Sequence, residues 1–160
     1  VSGWGRSALR RAGAQVSFAA DLQAVLDRAK DKAVDVVRKT AYDLDKGMVD
    51  RAPVDTGRLK SNFQIGIGTI NTATDAAPGS DPLPAAAAAL ATWKPGQTIW
   101  LTNSMPYARV AEFGLYGNPP GSANGPKTSG GYSSQAVGGF VRLTVQDFEQ
   151  VFRKAARSLK

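Results

Sequence analysis

The 160-residue sequence contains no cysteine and no histidine. Their absence excludes a Ser-His-Asp or Cys-His nucleophile, an imidazole base poised near neutrality, and a zinc site built from His or Cys. Carboxylates, lysines and hydroxyls are what remains for catalysis. A disulfide framework is excluded too, in agreement with assembly in a reducing cytoplasm. Long apolar runs are also missing. The longest, Pro84 to Ala91, falls far short of the roughly 20 residues a membrane span needs. Arg6, Arg10 and Arg11 are followed by no apolar stretch of signal-peptide length. These features predict a soluble chain made inside the cell, with no membrane partner and no cofactor. A chain of this length fits one domain able to bury its own core.

Charge is plentiful but unevenly placed. The net charge is +7, from 20 Lys and Arg against 13 Asp and Glu. Residues 1–16 carry +3, residues 17–60 carry +1, residues 61–139 are neutral and residues 140–160 carry +3. Basic ends on a nearly neutral body suggest contacts with nucleic acid or with an acidic protein. Trp4, Arg6, Arg10, Arg11, Arg153, Lys154 and Arg157 are the candidates for such contacts. Non-specific DNA binding by stacking is the weaker reading, because apart from Trp4 the aromatics are not interleaved with bases.

The pattern predicts a flexible basic arm over residues 1–16 and a single domain over 17–160. From Phe18 to Met48 apolar residues recur at steps of three, four and seven, the spacing of one helical stripe. Ser17 is the expected N-cap, and Pro53 ends the helix. A helix over residues 18–51 would be about 50 Å long at about 1.5 Å per residue. That exceeds the width of a domain this size, so part of it is expected to protrude or to pack on another subunit. Alternation from Phe63 to Ile70 and from Thr98 to Thr102 predicts two strands. Pro82–Trp93 and Pro106–Phe113 read as short helices, the second stopped by Gly114. Phe140–Val145 reads as a third strand, and Val145, Phe148, Val151, Phe152, Ala155 and Leu159 as a closing amphipathic helix. Residues 115–139, with seven Gly and three Pro, read as a long mobile loop without regular structure. The fold class is α+β: a long N-terminal helix and a C-terminal helix covering a small antiparallel sheet.

Three patterns bear on chemistry. Asp55-Thr56-Gly57 is the tripeptide of aspartic proteases, but here it follows a helix ending in Pro53 and precedes Arg58, where such enzymes have an apolar strand before it. A turn residue capping the segment after it is the simpler reading of Asp55. Glu112 is the lone acid between Asp81 and Asp147. No second carboxylate has a defined place beside it, so an ion pair with Arg58 or Arg109 is expected in place of general-base chemistry. Gly66-Ile67-Gly68 lacks the third glycine of a dinucleotide loop.

Three ordered blocks carry a resemblance. Ala52-Pro53-Val54-Asp55-Thr56-Gly57-Arg58-Leu59, then Tyr107-Ala108 with Glu112-Phe113-Gly114, then Ser134-Gln135-Ala136 through Phe140-Val141-Arg142-Leu143-Thr144-Val145, resemble the tail-component proteins of tailed bacteriophages. That family includes head-tail joining and tail-completion proteins and the minor tail protein Z type of phage lambda. The resemblance spans residues 18–158 and departs from the family pattern at Val137, where relatives carry Pro, and in a longer segment from Leu115 to Ser133. It implies a virion structural protein of the neck with no catalytic turnover, built into the particle in the host cytoplasm. It implies a homo-oligomeric ring among connector, adaptor, terminator, sheath or tube neighbours. A tail terminator ring is the alternative, and a DNA-binding protein a more distant one. Pro53, Asp55, Thr56, Gly57, Arg58, Leu59, Tyr107, Glu112, Gly114 and Gln135 are then the motif and turn residues.

Overall fold

The computed structural model describes residues 5–159, with side chains from residue 18 onward. The chain divides into two compact units, one ending at Asp35 and the other beginning at Val36. Helix α1, Gly5–Arg51, is 47 residues long and enters both. It starts well before Ser17, which is therefore an interior residue and not an N-cap. Ala8, Leu9, Arg10, Arg11, Ala12, Ala14 and Gln15 are all strong helix formers, and their propensity outweighs the lack of an apolar period. Of the segment expected to be an arm, residues 5–16 are thus helical, and residues 1–4 lie outside the described residues.

In the first unit the apolar stripe of α1 faces solvent: Phe18, Leu22, Val25 and Leu26 are all exposed, Phe18 by 70%. Gln23 donates to Asp27 at 2.9 Å, and Lys30 lies 3.7 Å from Asp27.

In the second unit the same stripe is buried. Ala41, Met48, Val49 and Ala52 are core residues. Strands β1, Phe63–Ile67, and β2, Ile99–Asn103, form an antiparallel pair in which Ile65 faces Leu101 and Phe63 faces Asn103. Ala41 and Ile65 pack with Ala86 and Leu90 of α3, Leu83–Ala91. A second cluster joins Met48, Val49, Ala52, Leu59, Phe63, Met105, Ala108, Ala111 and Phe140. Phe63 and Phe140 meet edge to face with ring centroids 6.0 Å apart, a favoured geometry for aromatic pairs. Arg38 on α1 ties down the end of α3 by donating to the carbonyls of Ala91 and Trp93 at 3.1 and 2.8 Å. Asp81 caps its start, accepting the Leu83 N–H at 3.0 Å.

The remaining elements are short: α2 (Arg58–Ser61), α4 (Ala108–Phe113), β3 (Thr128–Ser129), β4 (Tyr132–Ser133), α5 (Val141–Gln146) and α6 (Phe148–Ser158). The fold is α+β, with a long N-terminal helix, short C-terminal helices and small antiparallel sheets. Three details differ from the sequence reading. Residues 115–139 hold a hairpin, β3 with β4, laced by backbone bonds such as Tyr116 N–H to Gly131 O at 3.0 Å. The expected third strand is the helix α5. Its alternating Leu143 and Val145 are exposed, while Phe140 and Thr144, one helical turn apart, are buried. The closing helix begins only at Phe148, after a break at Asp147, and its stripe is split. Ala155 is fully buried, whereas Phe148 and Phe152 are exposed and stack on each other at 6.2 Å.

Candidate functional site

The chain leaves α1 at Arg51 and turns through Pro53–Leu59 into α2. Gly57 makes that turn, with φ of 81°, and a Cβ there would lie 2.8 Å from the backbone nitrogen of Gly79. Both the left-handed conformation and the close backbone approach call for glycine. Thr56 Oγ1 takes the Arg58 N–H at 3.4 Å. Asp55 is not the cap expected of it. Its carboxylate is 84% exposed and lies 3.5 Å from the equally exposed Lys127 ammonium. Leu59 turns inward to the core. Asn62, fully buried, donates to the Arg58 carbonyl at 2.7 Å, and Asn103 of β2 donates to the Leu59 carbonyl at 2.7 Å. The end of the motif is thus tied to the residue before β1 and to β2.

Gln135 attaches the glycine-rich segment to this turn. Its amide nitrogen donates to the Val54 carbonyl at 2.8 Å, and its amide oxygen accepts the Val54 N–H at 3.0 Å. This two-point pairing reproduces what a neighbouring strand would offer. It encloses a cavity of about 670 Å³ lined by Pro53–Leu59, Tyr107, Tyr116, Lys127, Thr128, Ser133 and Gln135. Burial pushes the Tyr116 phenol above its usual range. The walls are largely apolar, and the charged groups Asp55, Arg58 and Lys127 belong to the same lining.

Glu112 lies at the far end of α4 from Tyr107 and does not line the cavity. Its partner is neither Arg58 nor Arg109. One carboxylate oxygen accepts the N–H groups of Phe140 and Val141, each at 2.8 Å. The other accepts the Arg142 N–H at 3.0 Å and its Nε–H at 3.1 Å. A helix start leaves N–H groups unpaired and favours negative charge. Glu112 supplies both needs of α5 from 28 residues away, which is why residues 141–146 coil. Burial pushes the Glu112 carboxyl up, but the three backbone donors and the guanidinium outweigh it and hold it below the usual carboxylate range. Arg142 also donates to the carbonyls of Glu112 and Gly138 and to the Tyr132 hydroxyl, and lies over the Phe113 ring at 5.1 Å. Gly114 closes α4 with φ of 65°, and a Cβ there would meet the Tyr132 ring at 2.5 Å.

The three sequence blocks therefore meet at two adjoining places. Pro53, Asp55, Thr56, Gly57, Arg58, Leu59, Tyr107 and Gln135 share the cavity, while Glu112 and Gly114 organise the support beside it. Tyr116 and Lys127 had no sequence signal beyond their types, and Arg142 stood in the third block without a role assigned to it. Among the terminal candidates, Arg153, Lys154 and Arg157 line one shallow depression of about 530 Å³ along α6, with Gln150 and Ser158. Trp4 lies outside the described residues, and so do the side chains of Arg6, Arg10 and Arg11.

A family model described as "Bacteriophage HK97-gp10, putative tail-component" matches residues 17–114, more than half of the chain. The match takes in most of α1, the turn at Pro53–Leu59, both strands of the larger sheet and α4 with Glu112. The third block, from Ser134, lies beyond it and joins the matched part through Gln135 and Arg142. No curated protein and no solved structure matches the chain.

Proposed function

The chain belongs to the HK97-gp10-like family of bacteriophage tail components, and on that footing we propose that it serves at the head-tail junction as a tail-completion or head-tail joining protein. A tail component is part of the virion and works among other phage tail proteins. The finer reading is that copies form a ring in the neck, assembled in the host cytoplasm, and act by assembly without turnover.

The observation that carries this reading is the motif turn. Its backbone is fastened at Val54, Gly57, Arg58 and Leu59 to three different parts of the fold, while its side chains Asp55 and Arg58 are left exposed. A rigid turn presenting charged groups beside an apolar cavity suits recognition of a neighbouring protein. A reaction is less well served. The lining holds a single carboxylate, Asp55, which is open to solvent, so neither a proton-sharing pair nor a glycosidase pair is formed there.

The test is to produce phage without this chain and image the products. DNA-filled heads and finished tails that fail to join would support the proposal, whereas normal infectious particles would sink it. Tails of irregular length would instead support the tail terminator reading. A second reading, contact with packaged DNA, is favoured by the clustering of Arg153, Lys154 and Arg157 on α6. Binding to duplex DNA should then weaken with salt, with a log-log slope near −0.9 per neutralised phosphate. A flat salt profile would remove it.

A further inference from the structure

The cavity beside the motif turn carries a surplus of free donors. Its lining holds two cations, Arg58 and Lys127, against one carboxylate, Asp55. Asp55 and Lys127 already face each other at 3.5 Å, which leaves the charge of Arg58 unmatched. Arg58 enters the bonding of the turn through its backbone alone, its N–H donating to Thr56 and its carbonyl accepting from Asn62. Its exposed guanidinium has no partner among the described residues. A guanidinium only donates, and its planar fork matches a carboxylate at two points.

Two phenols add to the surplus. The rings of Tyr107 and Tyr116 pack against the core cluster, which fixes them in place. Neither hydroxyl has a hydrogen-bond partner among the described residues, although both side chains line the cavity. The Tyr132 hydroxyl, by contrast, is engaged by Arg142 at 3.1 Å. A phenol on a packed ring usually finds a partner for its polar end. Burial, with smaller pushes from Tyr107 and Asp55, holds the Tyr116 phenol above its usual range, so it keeps its proton at neutral pH and can donate.

The rest of the lining narrows what can enter. Gln135 uses both ends of its amide on the Val54 backbone, so an incoming chain cannot add there as a strand and has to be read through side chains. Val54 itself is 42% exposed, and with Pro53 and the two tyrosine rings it offers apolar surface around the donors. The volume of about 670 Å³ lies within the range of roughly 300–1,000 Å³ typical of ligand sites.

Resting on the reading above that the motif turn recognises a neighbouring protein, we propose that the cavity receives an acidic side chain flanked by apolar ones, carried on a segment of another tail protein. The carboxylate supplies the one charge the site lacks and meets Arg58, with the phenols of Tyr107 and Tyr116 as further donors. Its apolar neighbours cover Pro53 and Val54.

The test uses the full chain and three fluorescein-labelled, amidated tetrapeptides, followed by fluorescence anisotropy at neutral pH. The probe is leucine-glutamate-phenylalanine-leucine. One control replaces its glutamate by glutamine, and the other replaces its apolar residues by glycine. Both controls should bind about tenfold more weakly than the probe. Arg58→Gln should weaken the probe by about tenfold and leave the glutamine control unchanged, with Arg58→Lys restoring part of the loss. Tyr107→Phe and Tyr116→Phe keep the packed rings, so each should weaken the probe by about threefold without moving the urea midpoint.

Equal binding of the glutamine control would overturn the proposal, and so would equal binding of the glycine control, which would mark a site for bare anions. A preference for glutamate that survives Arg58→Gln and both phenylalanine variants would place the binding elsewhere and overturn it too. If Arg58→Gln instead dissociates the chain's own oligomers in analytical ultracentrifugation, the occupant is a second copy and the proposal fails. No binding of the probe up to about 1 mM chain, the weak end of specific association, would overturn the proposal and leave the head-tail reading standing. That reading is judged separately, on the particles formed without this chain.

Discussion

Two carboxylates are buried in the second unit, and their surroundings treat them in opposite ways. Glu112, 6% exposed, sits among four donors from Phe140, Val141 and Arg142. Asp45, fully buried on α1 between the two apolar clusters, has no hydrogen-bond donor on either oxygen among the described residues. The first is held charged. Burial pushes the second up to about 6. A buried charge that is fully hydrogen-bonded organises a fold, whereas one left alone opposes it. The region around Glu112 is therefore expected to be specified by electrostatics, and the region around Asp45 by its apolar neighbours alone.

The largest expected effect comes from removing the first carboxylate. Glu112→Ala strands three N–H groups at the start of α5 and should cost about 3–5 kcal/mol in urea unfolding at neutral pH. A loss under about 1 kcal/mol would erase the contrast with Asp45.

Next comes a difference in pH response. Asp45 has its folded pKa raised from 3.8 to about 6. Between those values the folded chain keeps a proton that the unfolded chain has released, so stability falls as pH rises through that window. The linked change is about 3 kcal/mol at most. Glu112 has its folded pKa lowered from 4.5, so its contribution is present above that pH and is lost as pH falls through the folded value. Asp45→Asn should flatten the decline between about pH 4 and 6, and Glu112→Gln should remove the acid-side loss. If Asp45→Asn leaves the profile unchanged, another group carries the titration.

Smaller effects sharpen the comparison at the motif turn. Gln135→Ala removes both bonds to Val54 and should cost about 1 kcal/mol, with faster hydrogen exchange at the Val54 amide as the direct readout. Lys127→Ala removes a fully solvated 3.5 Å pair with Asp55. Unfolding midpoints should be indistinguishable from those of the parent chain, because exposed pairs contribute little.

The sequence announced those parts of the fold whose cause is local. The stripe of α1, the stop at Pro53, the two alternating strands and the helix ending at Gly114 each follow from neighbours within one or two turns. What it concealed depends on residues far apart. Phe140–Val145 alternates like a strand, and its helical state comes from a carboxylate 28 positions earlier. The partner of Glu112 was hidden because Arg142 lay inside that supposed strand. Val54 and Gln135 are 81 residues apart, and no spacing rule connects them. The residues of the motif turn were legible as a block, but the cavity they line was not, since Tyr116, Lys127 and Thr128 come from a segment without period. Asp45 did carry one overlooked signal. It precedes Met48, Val49 and Ala52 at helical steps of three, four and seven, the spacing of the buried face.

The bonds that fasten the glycine-rich segment also define where it is open to change. Tyr116 O accepts the N–H groups of Gly121 and Ala123, and Tyr116 N–H donates to Gly131 O. The exposed bend at Asn118-Pro119-Pro120 is thereby sealed off from the motif turn. Extra residues placed between Pro119 and Pro120 would part the Ser122 N–H from the Pro119 carbonyl that accepts it, but they lengthen a loop whose ends are already joined, and each doubling of such a loop costs about 0.6 kcal/mol. This bend is the natural point of attachment for a marker large enough to be seen in an electron micrograph of the assembled particle.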